Sequence, residues 1–273
     1  MKYLLIILLV SGLSLNQLWA QNYPTGARSS GMGNASVMLS DVWSGYNNQA
    51  GLGNIETTQL GFHFENKFAI PEYSLQSFSG AFPVQSGTFG LNLSYFGYGQ
   101  YNESKIGLGF GKKLAEHFSL GIQLDYLNTY ISNMYGNHGA VTGEIGFIAE
   151  PIENLFIGGH LFNPTKAKIA EYNSERIPTL FRIGMGYNFR DKAFLAIETE
   201  KDIDYNPVFK AGLEFRLIEK LMLRAGISTN PVQNSFGITY SLGKFKVDIA
   251  FATHRELGMI PFVSVGYDFG KKE

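Results

Sequence analysis

The sequence has no cysteine, little charge and no apolar run beyond its first residues that could span a membrane as a helix. The absence of cysteine excludes disulfides and thiolate metal sites. Charged residues make up 16% of the 273 residues and the net charge is −1, which argues against a nucleic-acid-binding surface. The one apolar run, LLIILLVSGLSL, is too short to span a membrane comfortably as a helix. A disulfide-rich protein, a nucleic-acid-binding protein and a helical membrane protein are therefore all disfavoured.

The first twenty residues have the parts of a secretory signal peptide. Lys2 supplies the positive charge, the apolar run follows, and Ala20 offers a small residue for cleavage. We therefore predict a signal peptide at residues 1–20 and an exported mature protein.

From about residue 59 to residue 269, short segments alternate large apolar residues with small or charged ones. In FKVDIAFATH, Phe245 and Ile249 belong to the apolar set, whereas Lys246 and Asp248 belong to the other. Successive side chains of a strand point to opposite faces, so each segment is predicted to be a two-faced strand. About 14 such segments follow one another, and no stretch has a convincing helical period.

The links between these segments alternate in length. PVQSG, LAEHF, EPIENL, NFRDK, LIEK and LGK are short, whereas GYGQYNES, SNMYGNHG, NPTKAKIAEYNSERIP, KDIDYNP, STNPVQNS and HRELGMIP are longer and more polar. This alternation is typical of an up-and-down transmembrane barrel, as are aromatic residues at the segment ends. A soluble β-sandwich or lipocalin-like barrel is the alternative, but it would carry fewer glycines and more lysines on its polar faces. We predict an all-β fold, a transmembrane antiparallel up-and-down β-barrel of about 14 strands over residues 56–273, with apolar faces toward lipid.

The polar face of each strand then lines the lumen. Charges of both signs on successive strands predict a network that pairs across the lumen, rather than a constriction ring of one sign. Glycines on the same face allow another segment to pack closely against the wall. The predicted network comprises Arg182, Glu198, Lys210, Glu214, Arg224, Lys246 and Asp248, and the wider lumen set adds His63, Glu65, Asp125, Glu144, His160, Arg216 and His254.

Residues 21–55 do not read as a strand, because small residues and glycines dominate them. Irregular backbone at membrane depth is tolerated only inside protein or water. We therefore predict that this segment is a small hatch that plugs the lumen.

The stretch GARSSGMGNASVMLSDVWSGYNNQAGL resembles the N-terminal hatch of the FadL-like outer-membrane proteins, most closely the PorV/PorQ branch found in Bacteroidota. That family has Ala-Arg-x-x-Gly-Met-Gly, an acidic turn and then Asn-Pro-Ala-Gly-Leu, and Gln49 stands here in place of the proline. HRELGMIPFVSVGYDF also resembles the last loop and strand of that branch. The resemblance implies a 14-stranded barrel plugged by the hatch in the outer membrane of a Gram-negative bacterium. The matching hatch positions, with Gln49 as the departure, are Ala27, Arg28, Gly31, Met32, Gly33, Asp41, Asn48, Gln49, Ala50, Gly51 and Leu52.

The resemblance leaves two functions open. PorV-like members are accessories of type IX protein secretion and contact other outer-membrane or secretion-machinery proteins. FadL-like members transport hydrophobic small molecules, which requires an apolar pocket between hatch and wall. The polar lumen favours a non-enzymatic accessory of protein secretion or outer-membrane assembly, so transport of a hydrophobic ligand is the alternative.

Enzymatic and metal-dependent functions are not predicted. Ser228, His254 and Asp248 could supply a nucleophile, a base and an orienting acid, but no motif joins them. His63, His160 and His254 do not have metal-ligand spacing within one strand. The predicted protein therefore has no catalytic residues, no metal and no cofactor, and its environment is outer-membrane lipid.

Overall fold

The computed structural model of the chain describes residues 24–132, 136–168, 177–254 and 258–270. Fourteen strands form one closed antiparallel barrel, because the first strand pairs with the last. The strands are β1 (Gln59–Asn66), β2 (Ser74–Val84), β3 (Gly87–Tyr98), β4 (Tyr101–Ala115), β5 (Phe118–Ile131), β6 (Gly136–Ile152), β7 (Leu155–Phe162), β8 (Leu180–Phe189), β9 (Ala193–Asp202), β10 (Val208–Ile218), β11 (Leu221–Ser228), β12 (Gln233–Leu242), β13 (Phe245–His254) and β14 (Gly258–Asp268). The predicted signal peptide lies outside the described residues, as do the first three residues of the predicted hatch.

The alternation of residue types decides which side of each strand faces outward. In β13, Phe245, Ile249 and Phe251 are exposed, whereas Asp248 and Ala250 are buried. Large apolar side chains are exposed on the outside of nearly every strand, with Leu108 62% exposed. An apolar surface of this extent is stable against lipid, and the closed sheet leaves no unpaired strand edge there. The predicted transmembrane barrel is confirmed.

The two ends of the barrel differ in their connections. One end, the short-turn end, has residues 85–86, 116–117, 153–154, 190–192, 219–220 and 243–244 between its strands. Gln59 pairs with Asp268, so β1 begins and β14 finishes at this end. Residues 67–73, 203–207 and 229–232 connect strands at the other end, the long-loop end, where the described residues 163–168 and 177–179 lie between β7 and β8. Short turns of such barrels face the periplasm.

Three predicted long links are shorter than expected: residues 136–139 of SNMYGNHG lie in β6, residues 258–261 of HRELGMIP lie in β14, and GYGQYNES is almost wholly strand. GYGQYNES was expected to be a long link, but β3 and β4 continue through it and pair as far as Tyr98 and Tyr101. Gly97 lies opposite Asn102 with a φ of 101°, and a Cβ atom there would lie 2.3 Å from the backbone oxygen of Tyr101, so glycine at this position allows the ladder to continue above the apolar band. Only residues 99–100 remain between the two strands.

The aromatic residues at strand ends form contacts around the short-turn end. The rings of Phe245 and Tyr267 have centroids 4.7 Å apart, and Tyr267 and Phe269 are separated by the same distance. Tyr187 and Phe189 make the same edge-on contact on β8. Tyr187, Phe189, Phe245 and Phe269 are exposed on the outside, and Tyr267 is half-buried between its two neighbours. Aromatic side chains in this position are typical of the boundary between lipid tails and water.

The hatch lies inside the barrel. It contains two short helices, Ala27–Gly31 and Ser44–Asn47, and a 3₁₀ turn at Gln49–Asn54. The first helix contacts β11–β14, and the 3₁₀ turn contacts β3–β6 on another part of the wall. The hatch therefore crosses the lumen. No helix among the described residues is both long and apolar enough to cross a membrane.

Apolar clusters lie above the hatch toward the long-loop end. Leu127 on β5, Phe162 on β7 and Leu180 on β8 pack around Ile177, which is almost fully buried. Phe68, which follows β1, packs against another cluster that includes Phe262. Side chains of the loop segments thus fill the lumen at this end.

The outward orientation of β13 predicts the cost of a charge on its lipid face. Ile249→Lys is expected to lower the free energy of unfolding in lipid by about 2–4 kcal/mol, because the ammonium group would sit near mid-membrane. Thr253→Lys on the same face, close to the strand end, is expected to cost about 1 kcal/mol or less. Urea unfolding of both variants in liposomes measures the difference, and equal effects would contradict the orientation.

Candidate functional site: the seam between hatch and wall

Glycines on the inner wall allow the hatch backbone to touch the strands. A Cβ atom on Gly121 would lie 2.1 Å from the carbonyl carbon of Gln49, and one on Gly226 would lie 2.1 Å from the nitrogen of Gly33. Two atoms that are not bonded to each other cannot approach this closely, so both wall positions require glycine while the hatch is docked. Gly158 has the same relation to the backbone of the hatch. The glycine-rich inner face is thus shaped to fit the hatch.

Three cations of the wall each bridge two wall carboxylates, and we call each group an ion triad. The contacts measure 2.5 to 3.4 Å between nitrogen and oxygen. Buried charges require such partners, because an unpaired charge away from water is costly. The groups are the Lys105 triad (Lys105, Asp125, Glu144), the Lys210 triad (Lys210, Glu198, Glu200) and the Arg224 triad (Arg224, Glu214, Asp248).

The Lys105 triad holds the 3₁₀ turn of the hatch. The side-chain nitrogen of Gln49 donates to Glu144 Oε2 at 2.6 Å. The neighbouring Asn48 donates to the backbone oxygens of Phe147 and Gly159 at 3.0 and 3.3 Å. Gln49 stands where the FadL-like pattern has proline, which has no side-chain donor. The departure from that pattern therefore adds a bond between hatch and wall.

The Lys210 triad holds the middle of the hatch. Glu198 Oε2 accepts hydrogen bonds from the backbone N–H groups of Ser36 at 2.7 Å and Val37 at 2.8 Å. Its other oxygen remains bound to Lys210 at 2.9 Å. Hydrogen bonds to an ionised carboxylate are stronger than neutral ones.

The Arg224 triad holds the first helix of the hatch. The Arg28 guanidinium donates two bonds to Glu214, at 2.9 and 3.0 Å, and a third to Asp41 of the hatch at 3.1 Å. Burial acts against the charge on Arg28, but Glu214 and Asp41 together raise the pKa of its guanidinium above the ordinary value. Arg28 therefore stays charged, and its two parallel bonds to Glu214 fix the helix in one orientation.

His160 connects Arg182 to the Lys105 triad. Arg182 Nη2 lies 2.8 Å from His160 Nδ1, and His160 Nε2 lies 2.7 Å from Glu144 Oε2. Because guanidinium groups only donate, Nδ1 must accept, and the proton of the neutral ring is on Nε2. Arg182 also reaches the backbone oxygen of Tyr46 in the hatch at 3.5 Å.

The structure places six of the seven residues of the predicted network in or beside the ion triads. Lys246 is the exception and lines a cavity next to the hatch. Sequence reasoning missed Lys105 and Glu200. Lys105 alternates with Gly107 and Gly109 on the inward face of β4, and Glu200 alternates with Glu198, so the same two-residue period could have found both.

The other hatch positions are defined by close contacts. The nitrogen of Ala27 donates to Ser264 Oγ, and that of Gly33, which has a φ of 65°, donates to Ser235 Oγ. Gly31 lies against Gly237 and Met32 against Gly212, while Gly51 leaves room for Leu39 and Ser44 of the hatch. Asn48 Oδ1 accepts from the nitrogen of Ala50. The side chain of Leu52 fills the space beside Gly90 and Gly109.

The residues considered for catalysis do not meet. Ser228 lies opposite Gln233 on β12, which in turn lies opposite His254 on β13. The two residues are therefore separated by two strand spacings, or about 10 Å. Asp248 is bound instead to Arg224.

A cavity of about 240 Å³ lies between hatch and wall at the short-turn end. Apolar and charged groups share its lining, so it differs from the apolar pocket that transport was expected to require. A smaller cavity of about 140 Å³ lies on the other side of Arg28, which lines both. The larger one is lined by Arg28, Ser40, Asp41, Val42, Trp43, Gln59, Leu60, Lys244, Phe245, Lys246, Asp248, Gly266, Tyr267 and Asp268.

Solved structures share this barrel and its overall arrangement. The CymD monoaromatic hydrocarbon channel has a TM-score of 0.70 and 13% identity, over 91% of this chain and 98% of its own. The toluene transporter TodX of P. putida has a TM-score of 0.70 and 14% identity, over 91% and 99%. A FadL homologue of Pseudomonas aeruginosa has a TM-score of 0.64 and 13% identity, over 90% and 98%.

These similarities define the fold of the chain as that of FadL-like barrels. No protein-family model matches the sequence, and no curated protein matches it. The expected FadL-like fold is therefore confirmed at the level of architecture.

Proposed function

We propose that this chain is an outer-membrane protein that admits small hydrophobic molecules past a movable hatch. The observation that carries the proposal is the plugged barrel itself, whose fold matches hydrocarbon channels and transporters over about nine-tenths of the chain. The predicted signal peptide and the lipid-facing exterior support an outer-membrane location. The separation of Ser228 from His254 by two strand spacings, and the binding of Asp248 to Arg224, support a protein without enzymatic activity at these residues.

The packed seam is consistent with selective rather than general passage. Wall glycines touch the hatch backbone, and three ion triads hold it, so hydrated solutes have no open path in the docked state. A hydrophobic molecule reaching the lumen needs the hatch to shift at one part of the seam. The cavities on both sides of Arg28 make the short-turn end the natural exit.

Uptake of a labelled hydrocarbon tests this function. Bacterial cells that produce the chain in their outer membrane are expected to take up radiolabelled toluene several-fold faster than cells with an empty vector. Proteoliposomes containing the wild-type barrel are not expected to swell in arabinose, because the docked hatch blocks hydrated solutes. Equal toluene uptake with and without the chain would count against the proposal.

A second candidate is an accessory of protein secretion of the PorV/PorQ type. Its support is the hatch sequence, together with the charged lining of the cavity where a hydrocarbon site would be apolar. CymD and TodX are described as a hydrocarbon channel and a toluene transporter, which favours the first candidate. Affinity purification from solubilised outer membranes tests the second, since secretion-machinery proteins are expected to copurify with an accessory. Recovery of the barrel alone would contradict it.

A further inference from the structure

We infer that the 240 Å³ cavity beside Gly266 binds a small amphiphilic anion, with a carboxylate as head group and a body the size of one aromatic ring. A role of this cavity as the exit for transported molecules rests on the proposed function. Binding of a ligand in the cavity can be measured without any transport assay.

The cavity exists because one inward glycine is left uncovered. A Cβ atom on Gly266 would meet nothing closer than 3.9 Å, whereas one on Gly121 or Gly226 would lie within 2.1 Å of the hatch backbone. The wall at Gly266 is therefore separated by a gap from the part of the hatch around Trp43. The remaining space opens at the short-turn end, where Lys244 lies in the turn between β12 and β13.

Every carboxylate in the lining already accepts hydrogen bonds from the protein. Asp41, Asp248 and Asp268 therefore offer little to a cationic ligand. Their donors are Arg28 and the backbone of Trp43 for Asp41, Arg224 and Thr239 for Asp248, and Thr57 and the backbone of Gly270 for Asp268.

The lysines of the lining differ from its carboxylates. Neither Lys244 nor Lys246 forms an ion pair with any residue in the described part of the chain. Lys246 is half-buried on the inner face of β13 and lines the cavity. Positive groups without partners beside occupied carboxylates select an anionic head group.

Size and the apolar part of the lining define the rest of the ligand. A cavity of about 150 Å³ in another protein holds benzene, so this one has room for a ring and a carboxylate. Val42 and Trp43 of the hatch supply apolar surface for the ring. A long acyl chain does not fit in the available volume.

Calorimetry with three probes of one size tests the site. Benzoate is expected to bind the full detergent-solubilised barrel at least fivefold more tightly than benzyl alcohol or benzylamine. Lys246→Gln is expected to bring benzoate and benzyl alcohol within twofold of each other. Lys220→Gln, in the exposed turn between β10 and β11, is the matched control and should leave the preference unchanged. Gly266→Leu should fill the cavity and abolish binding of both benzoate and benzyl alcohol.

The outcomes separate this site from the proposed function. Absence of benzoate binding, equal binding of the three probes, or a preference that survives both Lys246→Gln and Lys244→Gln would overturn the assignment. Binding of a short acidic peptide but not of benzoate would assign the cavity to a protein terminus, and would also overturn it. Toluene has no charge, so loss of benzoate binding in Lys246→Gln with normal toluene uptake leaves the transport proposal intact. Benzoate selectivity in a barrel that takes up no toluene would contradict the transport proposal alone.

Discussion

Lys105→Met is expected to lower the free energy of unfolding by about 3–5 kcal/mol, because it leaves two buried carboxylates without their cation. Lys105 is 1% exposed and lies 2.5 Å from Glu144 and 3.4 Å from Asp125. Its ammonium group also lies 5.3 Å from the ring centre of Phe162. Methionine fills much of the same space but cannot compensate either negative charge. Urea unfolding in liposomes, followed by intrinsic fluorescence, measures the loss.

The matched control is Lys113→Met on the same strand. Lys113 is exposed near the short-turn end and forms no ion pair among the described residues. Its replacement is expected to change stability by about 0.5 kcal/mol or less. Equal losses in the two variants would show that the Lys105 triad does not stabilise the barrel.

Gly226→Ala is expected to displace the hatch and raise ion conductance. The new methyl group would lie 2.1 Å from the nitrogen of Gly33 and 2.2 Å from the carbonyl carbon of Met32. Both atoms are backbone, so the hatch must move away and lose the nearby hydrogen bond from Gly33 to Ser235, which measures 2.9 Å. We expect the mean conductance in planar bilayers to rise at least threefold, and stability to fall by about 1–3 kcal/mol from overpacking.

Gly266→Ala is the matched control, because it removes an inward-facing glycine without displacing the hatch. Gly266 also faces the lumen, but its nearest neighbours would lie 3.9 Å from a new Cβ atom. Conductance and stability of this variant are expected to stay near those of the wild type. A conductance in Gly226→Ala no higher than in Gly266→Ala would contradict the close docking of hatch and wall.

Sequence reasoning identified the barrel because each strand has one environment on each side. Ile249 and Phe251 had to face lipid once Asp248 was assigned to the lumen, and a period of two residues fixes this for a whole strand. The hatch could also be predicted from the sequence, because a segment of glycines and small residues lacks the large apolar side chains that a two-faced strand needs. Loop boundaries were harder, as residues 99–100 show, since polar residues can continue a ladder above the membrane.

The pairing of charges could be predicted only in part. Lys210 lies directly opposite Glu198, and Glu214 opposite Arg224, so a correct register between neighbouring strands would give both pairs. Asp248 on β13 binds Arg224 on β11 across the intervening strand β12, a contact that the register of neighbouring strands alone does not give.

The partners of the hatch depend on tertiary structure. The path of Ser36 and Val37 toward Glu198 has no signal in the sequence, since backbone N–H groups donate both bonds. The sequence shows Gln49 only as a departure from the family pattern, and its bond to Glu144 on the wall is found in the structure.

The ion triads have a consequence for undocking. Glu144, Glu198 and Glu214 each keep a cation of the barrel wall when the hatch leaves, and Arg28 keeps its ion pair with Asp41 of the hatch. Separation therefore breaks hydrogen bonds that incoming water can replace. It leaves none of these charged side chains without an ion-pair partner. These charged groups of the wall and of the hatch are thus each paired within their own part of the protein, which lowers the electrostatic cost of repeated undocking and redocking.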